Sequence, residues 1–141
     1  LDAADLIWVR GGNAFVLRRA MRQSGFDTLI RDALASDELV YGGYSGGIAV
    51  LAPSLRGIEL VNDPKAVPEG YDPEVIWDCL GLLPYHIAPH YKSAHPASPG
   101  IDRVVRFYID HDMPFKALRD GEAIEVHGDR EELLCIEMPA M

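Results

Sequence analysis

Short apolar runs alternate with amphipathic stretches along the chain. Leu6-Ile7-Trp8-Val9 is closed by Gly11-Gly12, the pattern of a buried strand followed by a tight turn. Asn13 is placed to cap a helix in which Phe15, Leu17, Ala20 and Met21 recur at roughly helical spacing until Gly25 stops it. Residues 27–36 predict a second short helix, with Leu29, Ile30, Ala33 and Leu34 inward. Leu39-Val40-Tyr41 predicts a second strand, which runs into Gly42-Gly43-Tyr44-Ser45-Gly46-Gly47 and then a small-residue helix that Pro53 limits.

Further on, 58–61 reads as a strand and 62–72 as a Pro/Gly-rich loop. A hydrophobic segment over 75–83 precedes Pro84-Tyr85-His86-Ile87-Ala88-Pro89-His90. Ile101, Val104, Val105 and Tyr108 predict a helix over 101–109. The remainder predicts antiparallel strands at 115–118, 123–126 and 133–136, separated by turns at Asp120-Gly121 and Gly128-Asp129. Strands alternating with helices indicate an α/β fold: a mostly parallel sheet flanked by helices, with an antiparallel C-terminal edge. No repeat or low-complexity segment divides the chain, so 1–141 is expected to be a single domain.

Composition narrows the function classes. The chain has 141 residues, 48% hydrophobic and 25% charged, enough to bury a core and too apolar for a disordered protein. The net charge of −9 and the lack of a basic stripe argue against a nucleic-acid or anionic-membrane binder. The longest uncharged stretch, 39–55, contains four glycines and Pro53, so no membrane span is expected there. Cys79 and Cys135 have no metal-type spacing and fit reduced thiols in a cytoplasmic protein. The chain starts at Leu1 without the basic segment of a signal peptide, so N-terminal strands are expected to be missing from it.

Gly43-Tyr44-Ser45-Gly46-Gly47 matches the G-x-S-x-G nucleophile elbow and sits between a predicted strand and a predicted helix, as that motif requires. An ordinary Gly-rich turn is the competing reading. A serine hydroxyl needs a base, and the base an orienting acid. Among His86, His90, His95, His111 and His127, the apolar Pro-bounded segment singles out His86 and His90. Asp63, Glu69 and Asp72 are the loop acids, with Asp63, at a predicted strand end, slightly favoured over Asp72. The residue after the nucleophile, Gly46, supplies one oxyanion N–H, and Gly12 is the natural second donor. The dinucleotide fingerprint G-x-G-x-x-G is absent.

Four stretches then carry a resemblance: Ile7-Trp8-Val9-Arg10-Gly11-Gly12-Asn13-Ala14-Phe15, Gly43-Tyr44-Ser45-Gly46-Gly47, Asn62-Asp63-Pro64, and Leu80-Gly81-Leu82-Leu83-Pro84-Tyr85-His86-Ile87-Ala88-Pro89-His90-Tyr91. Together they resemble the peptidase E family of serine peptidases, which includes α-aspartyl dipeptidases and cyanophycinases. The resemblance implies a class I glutamine amidotransferase-like, flavodoxin-like three-layer sandwich. It implies Ser45 as nucleophile, with Gly46 where the family has alanine, and His90 rather than His86 as the base. It also implies Asp63 as the acid that orients His90, and Gly12 with Gly46 as the oxyanion hole. Asn13, Tyr44 and Arg103 are the expected substrate contacts. The family's aspartyl dipeptidases carry a recognition arginine in a G-E-T-R-E stretch; here that stretch is Ala97-Ser98-Pro99-Gly100-Ile101-Asp102-Arg103, with its arginine displaced.

The implied activity is a serine peptidase acting near the N-terminus of short peptides, without metal or organic cofactor, in the cytoplasm. Self-association into a homodimer through exposed sheet edges is expected as well. A non-peptide amidase or esterase, and a catalytically silent amidotransferase-like binding module, are the alternatives.

Overall fold

The computed structural model of the chain describes residues 1–136; residues 137–141 of the expected 1–141 unit lie outside the described residues. Strand β1 (Leu6–Val9) leads into helices α1 (Ala14–Ser24) and α2 (Phe26–Ala35), strand β2 (Val40–Gly43) and the one-turn helix α3 (Gly46–Ala49). After a long irregular stretch come β3 (His86–Ala88), α4 (Ser98–Asp110), β4 (Phe115–Ala117), β5 (Glu122–His127) and β6 (Arg130–Cys135). β1 and β2 pair in parallel from Leu6 beside Val40 to Val9 beside Gly43. β3 and β4 pair in parallel from His86 beside Phe115 to Ala88 beside Ala117. β5 and β6 form an antiparallel hairpin. The α/β class and its antiparallel end are therefore present, with the parallel strands in two pairs.

Local chemistry explains the helix boundaries. Asn13 Oδ1 accepts the N–H groups of Phe15 at 2.9 Å and Val16 at 3.3 Å, capping α1 as the sequence predicts. Gly25, at φ 79°, turns the chain left-handed to end it. The buried face of α1 carries two arginines beside Phe15 and Met21. Arg18 pairs with Asp27 of α2 at 2.9 Å. Burial works against the charge on Asp27, but Arg18 and the Thr28 N–H outweigh it and hold the carboxyl below its ordinary range. Arg19, also buried, donates instead to the carbonyls of Pro64, Ala66, Pro73 and Glu74. It thereby clasps the Pro-rich loop against α1.

Two expectations are corrected. Residues 58–61 do not form a strand: Ile58–Leu60 is a 3-10 turn, with Leu60 N–H donating to Gly57 O and Val61 N–H to Ile58 O. The segment instead packs on α4, where Val61 reaches Gly100. The segment predicted antiparallel at 115–118 is β4, parallel to β3, because α4 crosses between the two in a β-α-β unit. The inward face of α4 is as its spacing predicts: Ile101, Val104, Val105 and Tyr108 are buried, packed with Phe15, Ile30, Val50 and Leu55.

One face of the first strand pair is uncovered. Leu6, Trp8 and Val40 are 56%, 59% and 62% exposed, while Ile7 and Val9 pack on the core. A cleft of about 430 Å³ lies between β2 and the β5–β6 hairpin, lined by apolar groups including Ile48, Leu83, Ile87 and Ile124.

Candidate active site

Ser45 stands at the corner between β2 and α3 with φ 53° and ψ −120°, a backbone region that L-residues enter only under strain. The neighbours allow the corner by having no side chains. A Cβ on Gly47 would lie 2.2 Å from the Val9 carbonyl oxygen, and one on Gly11 would lie 2.9 Å from Ser45 Cβ. With a single turn, α3 has little macrodipole, and what it offers is its first-turn N–H groups, beginning with Gly46. The Gly12 N and O lie 3.5 and 2.7 Å from where a Gly46 Cβ would be, so the two expected oxyanion donors are adjacent. The same crowding is why position 46 is glycine. Beside the corner, the exposed Tyr44 tilts against Trp8 and accepts a hydrogen bond from Arg10 Nε at 3.4 Å. That bond lowers the Tyr44 pKa and raises that of Arg10.

His90 lies just past β3. Leu118 N–H donates to Ala88 O and Tyr91 N–H to Leu118 O, so the ends of β3 and β4 remain joined where His90 and Asp120 emerge. His90 Nδ1 meets Asp120 Oδ1 at 2.7 Å. Its Nε2 is buried and has no hydrogen-bond partner among the described residues. Since α3 packs on β3, Ser45 and His90 both sit at the carboxyl ends of parallel strands, the usual place for a site in an open α/β sheet. No hydrogen bond joins them in this state. His90 at φ 62° and Lys92 at φ 46° have positive φ, as Ser45 does. The other non-glycine residues with positive φ, Asp37 and Asp112, merely follow helix ends. Strain is thus concentrated at this site.

The other expected residues are placed differently. Asp63 does not touch His90: its Oδ1 accepts the Lys65 N–H and its carbonyl accepts Asn13 Nδ2. Its neighbour Asn62 accepts the Ala14 N–H, so the Asn62-Asp63 pair braces the start of α1. Asn13 uses both ends of its amide in this scaffold. Arg103 reaches the Leu60 carbonyl of the 3-10 turn at 3.5 Å. Among the described residues, no three His, Cys, Asp or Glu side chains gather as a metal site.

A family model described as peptidase family S51 matches residues 1–134. The chain belongs to that family. Among S51-like relatives, it is 35% identical over 139 residues to "Peptidase E" of Streptomyces coelicolor, covering 94% of this chain and 53% of that protein. It is 33% identical to "Probable alpha-aspartyl dipeptidase" of Drosophila melanogaster, covering 95% and 55%. The chain spans about half the length of the curated relatives it matches. Its fold matches the crystal structure of a peptidase E candidate from Listeria monocytogenes EGD-e with a TM-score of 0.80, at 24% identity over 96% of this chain and 61% of that one.

Sequence reasoning missed Asp120, reading it as a turn residue. The signal was present: once 86–88 and 115–117 are recognised as neighbouring parallel strands, an acid just beyond the second falls beside a histidine just beyond the first. It also missed a serine–histidine contact, Ser54 Oγ to His86 Nε2 at 3.0 Å.

Proposed function

We propose that this chain carries the catalytic site of a serine peptidase that hydrolyses short peptides near their N-terminus, with Ser45 as nucleophile, His90 as base and Asp120 as its orienting acid. The observation that carries the reading is the strained Ser45 corner at the end of one parallel strand, together with a His90 past the end of another that is anchored through Nδ1 and unpartnered at its buried Nε2. Ser45 Oγ attacks the scissile carbonyl carbon while His90 Nε2 takes its proton. The Gly12 and Gly46 N–H groups hold the resulting oxyanion, each contributing about 3 kcal/mol. His90 then protonates the leaving amine, and a water, activated by the same imidazole, releases the acyl group as a carboxylate. Asp120 fixes the Nδ1 proton throughout.

S51 membership and the names of the relatives support this reading. The displaced Arg103 favours a specificity broader than N-terminal aspartate, with Tyr44 beside the nucleophile as a substrate contact. A cytoplasmic protein acting as one catalytic unit fits the two free cysteines and the absence of a long apolar helix among the described residues. Pairing of two copies through the uncovered Leu6, Trp8 and Val40 face belongs to the same reading. The test is hydrolysis of a panel of di- and tripeptides by the wild type and Ser45→Ala. Cleavage that survives in a folded Ser45→Ala protein overturns the proposal. Cleavage of acyl esters with none of peptides selects the esterase alternative.

A further inference from the structure

Anchoring at Nδ1 leaves an imidazole one freedom, rotation of the ring about its broad terminal torsion. Here that freedom is closed from one side. The His95 ring lies on the His90 ring with centroids 3.6 Å apart and planes 9° apart. His95 is itself fixed, because its Nδ1 accepts the Ala97 N–H at 3.1 Å and its carbonyl accepts the Ser98 N–H at 2.9 Å. An accepting Nδ1 places the proton of neutral His95 on Nε2. The same loop reaches the acid: Ser93 Oγ accepts the Asp120 N–H at 2.8 Å and donates to the Tyr91 carbonyl, while Ser93 N–H donates to Ser98 Oγ. One short loop therefore holds both members of the His90–Asp120 pair.

We infer that His95 is a positioning residue for the reaction, a flat lid whose stacking keeps His90 in the plane where Nδ1 meets Asp120 and Nε2 is left unpartnered to take the serine proton. It acts through His90. A second consequence follows from the charge that develops. When His90 accepts the serine proton it becomes a cation, and the π face of neutral His95 is attractive to it. A flat ring of any kind supplies this, so an aromatic replacement retains the effect and an aliphatic one loses it. The inference rests on the reading of His90 as the base.

The test compares His95→Ala and His95→Phe with the wild type by the rate of fluorophosphonate labelling, mapped to its peptide so that Ser54 is not mistaken for Ser45. Proton NMR of the His90 Nδ1–H and the melting temperature are followed in parallel, and His90→Ala serves as the control. His95→Ala is expected to slow Ser45 labelling by about 10-fold or more and to broaden the low-field Nδ1–H resonance, with little change in melting temperature. His95→Phe is expected to recover most of the rate. An Ala variant that labels like the wild type and keeps the sharp resonance overturns the inference while leaving the base assignment intact. If wild-type Ser45 does not label, or His90→Ala labels normally, the base assignment fails, and the resonance arm still judges the stack. Equal losses in the Ala and Phe variants also overturn it.

Discussion

Two histidines four residues apart are built for opposite ends. His86 is closed. Ser54 donates to its Nε2 at 3.0 Å, its Nδ1 faces the Pro114 carbonyl at 3.3 Å, and it is 6% exposed. Neither His86 nor Ser54 has a left-handed backbone. His90 has one nitrogen engaged and one without a hydrogen-bond partner among the described residues, and its backbone has a positive φ, as that of Ser45 does. A finished hydrogen bond marks the structural pair, and an unfinished one marks the site. Serine–histidine proximity alone would select the closed pair.

The largest effect that tests this contrast is on turnover. His90→Gln is expected to lower kcat/KM roughly 10⁴-fold or more with the fold intact, because the proposed mechanism passes the serine proton to His90. Folded His86→Gln is expected to stay within a few-fold of wild type. Peptide hydrolysis by both variants, each checked for native circular dichroism, decides between them. The reverse ranking would make Ser54–His86 the catalytic pair.

Next in size is the choice of acid. Asp120→Asn is expected to lower kcat by about 10²- to 10³-fold with KM nearly unchanged, less than for a fully buried acid because solvent screens a carboxylate that is 40% exposed. Asp63→Asn is expected to leave kcat near wild type, since its carboxylate bonds only the Lys65 N–H. Steady-state kinetics on both variants reads the outcome. A collapse of kcat in Asp63→Asn with Asp120→Asn unaffected would restore the acid that the family resemblance implies.

These two acids show how far the sequence could be read. The Ser45 corner was legible because its cause is local: flanking glycines are required where Val9 and Gly12 pass within contact distance. The α1 cap and the buried face of α4 were legible for the same reason, a residue type or spacing acting within one turn of helix. Asp120 was not legible because its role depends on which strand neighbours which, and a turn residue carries no sign of that. Likewise 58–61 has an apolar run that suits a strand, but strand formation needs a partner, and α4 took that side. Arg19 is the clearest failure of local reading. A charged residue at a core position is explained only by four carbonyls more than forty residues away.

A smaller effect tests the closed pair by stability. Ser54→Ala leaves buried His86 Nε2 without its donor and is expected to cost about 1–3 kcal/mol, read as a lower urea midpoint, with hydrolysis unchanged per folded molecule. An unchanged midpoint would mean that the contact contributes nothing to the fold.

The smallest effect is its pH dependence. Burial lowers the His86 pKa below its ordinary 6.5, Arg56 adds to the depression, and the Pro114 carbonyl opposes both. The folded chain therefore resists protonating His86, while the unfolded chain takes up that proton near 6.5. Between the two values the unfolded state binds more protons, so stability rises with pH across the window. Above the ordinary value the contribution of neutral His86 is complete; it is lost as pH falls below 6.5, and the loss ends once pH passes the lowered folded value. Other groups titrate in the same range, so the wild-type curve alone cannot isolate His86. The difference in urea midpoint between wild type and His86→Gln, measured from pH 7.5 to 5, removes the shared contributions. That difference should shift against the wild type as the solution is acidified. A flat difference would mean that folded His86 titrates as freely as in the open chain. Burial of the ring would then do nothing to hold the imidazole neutral, and the closed histidine would be no more closed than the open one.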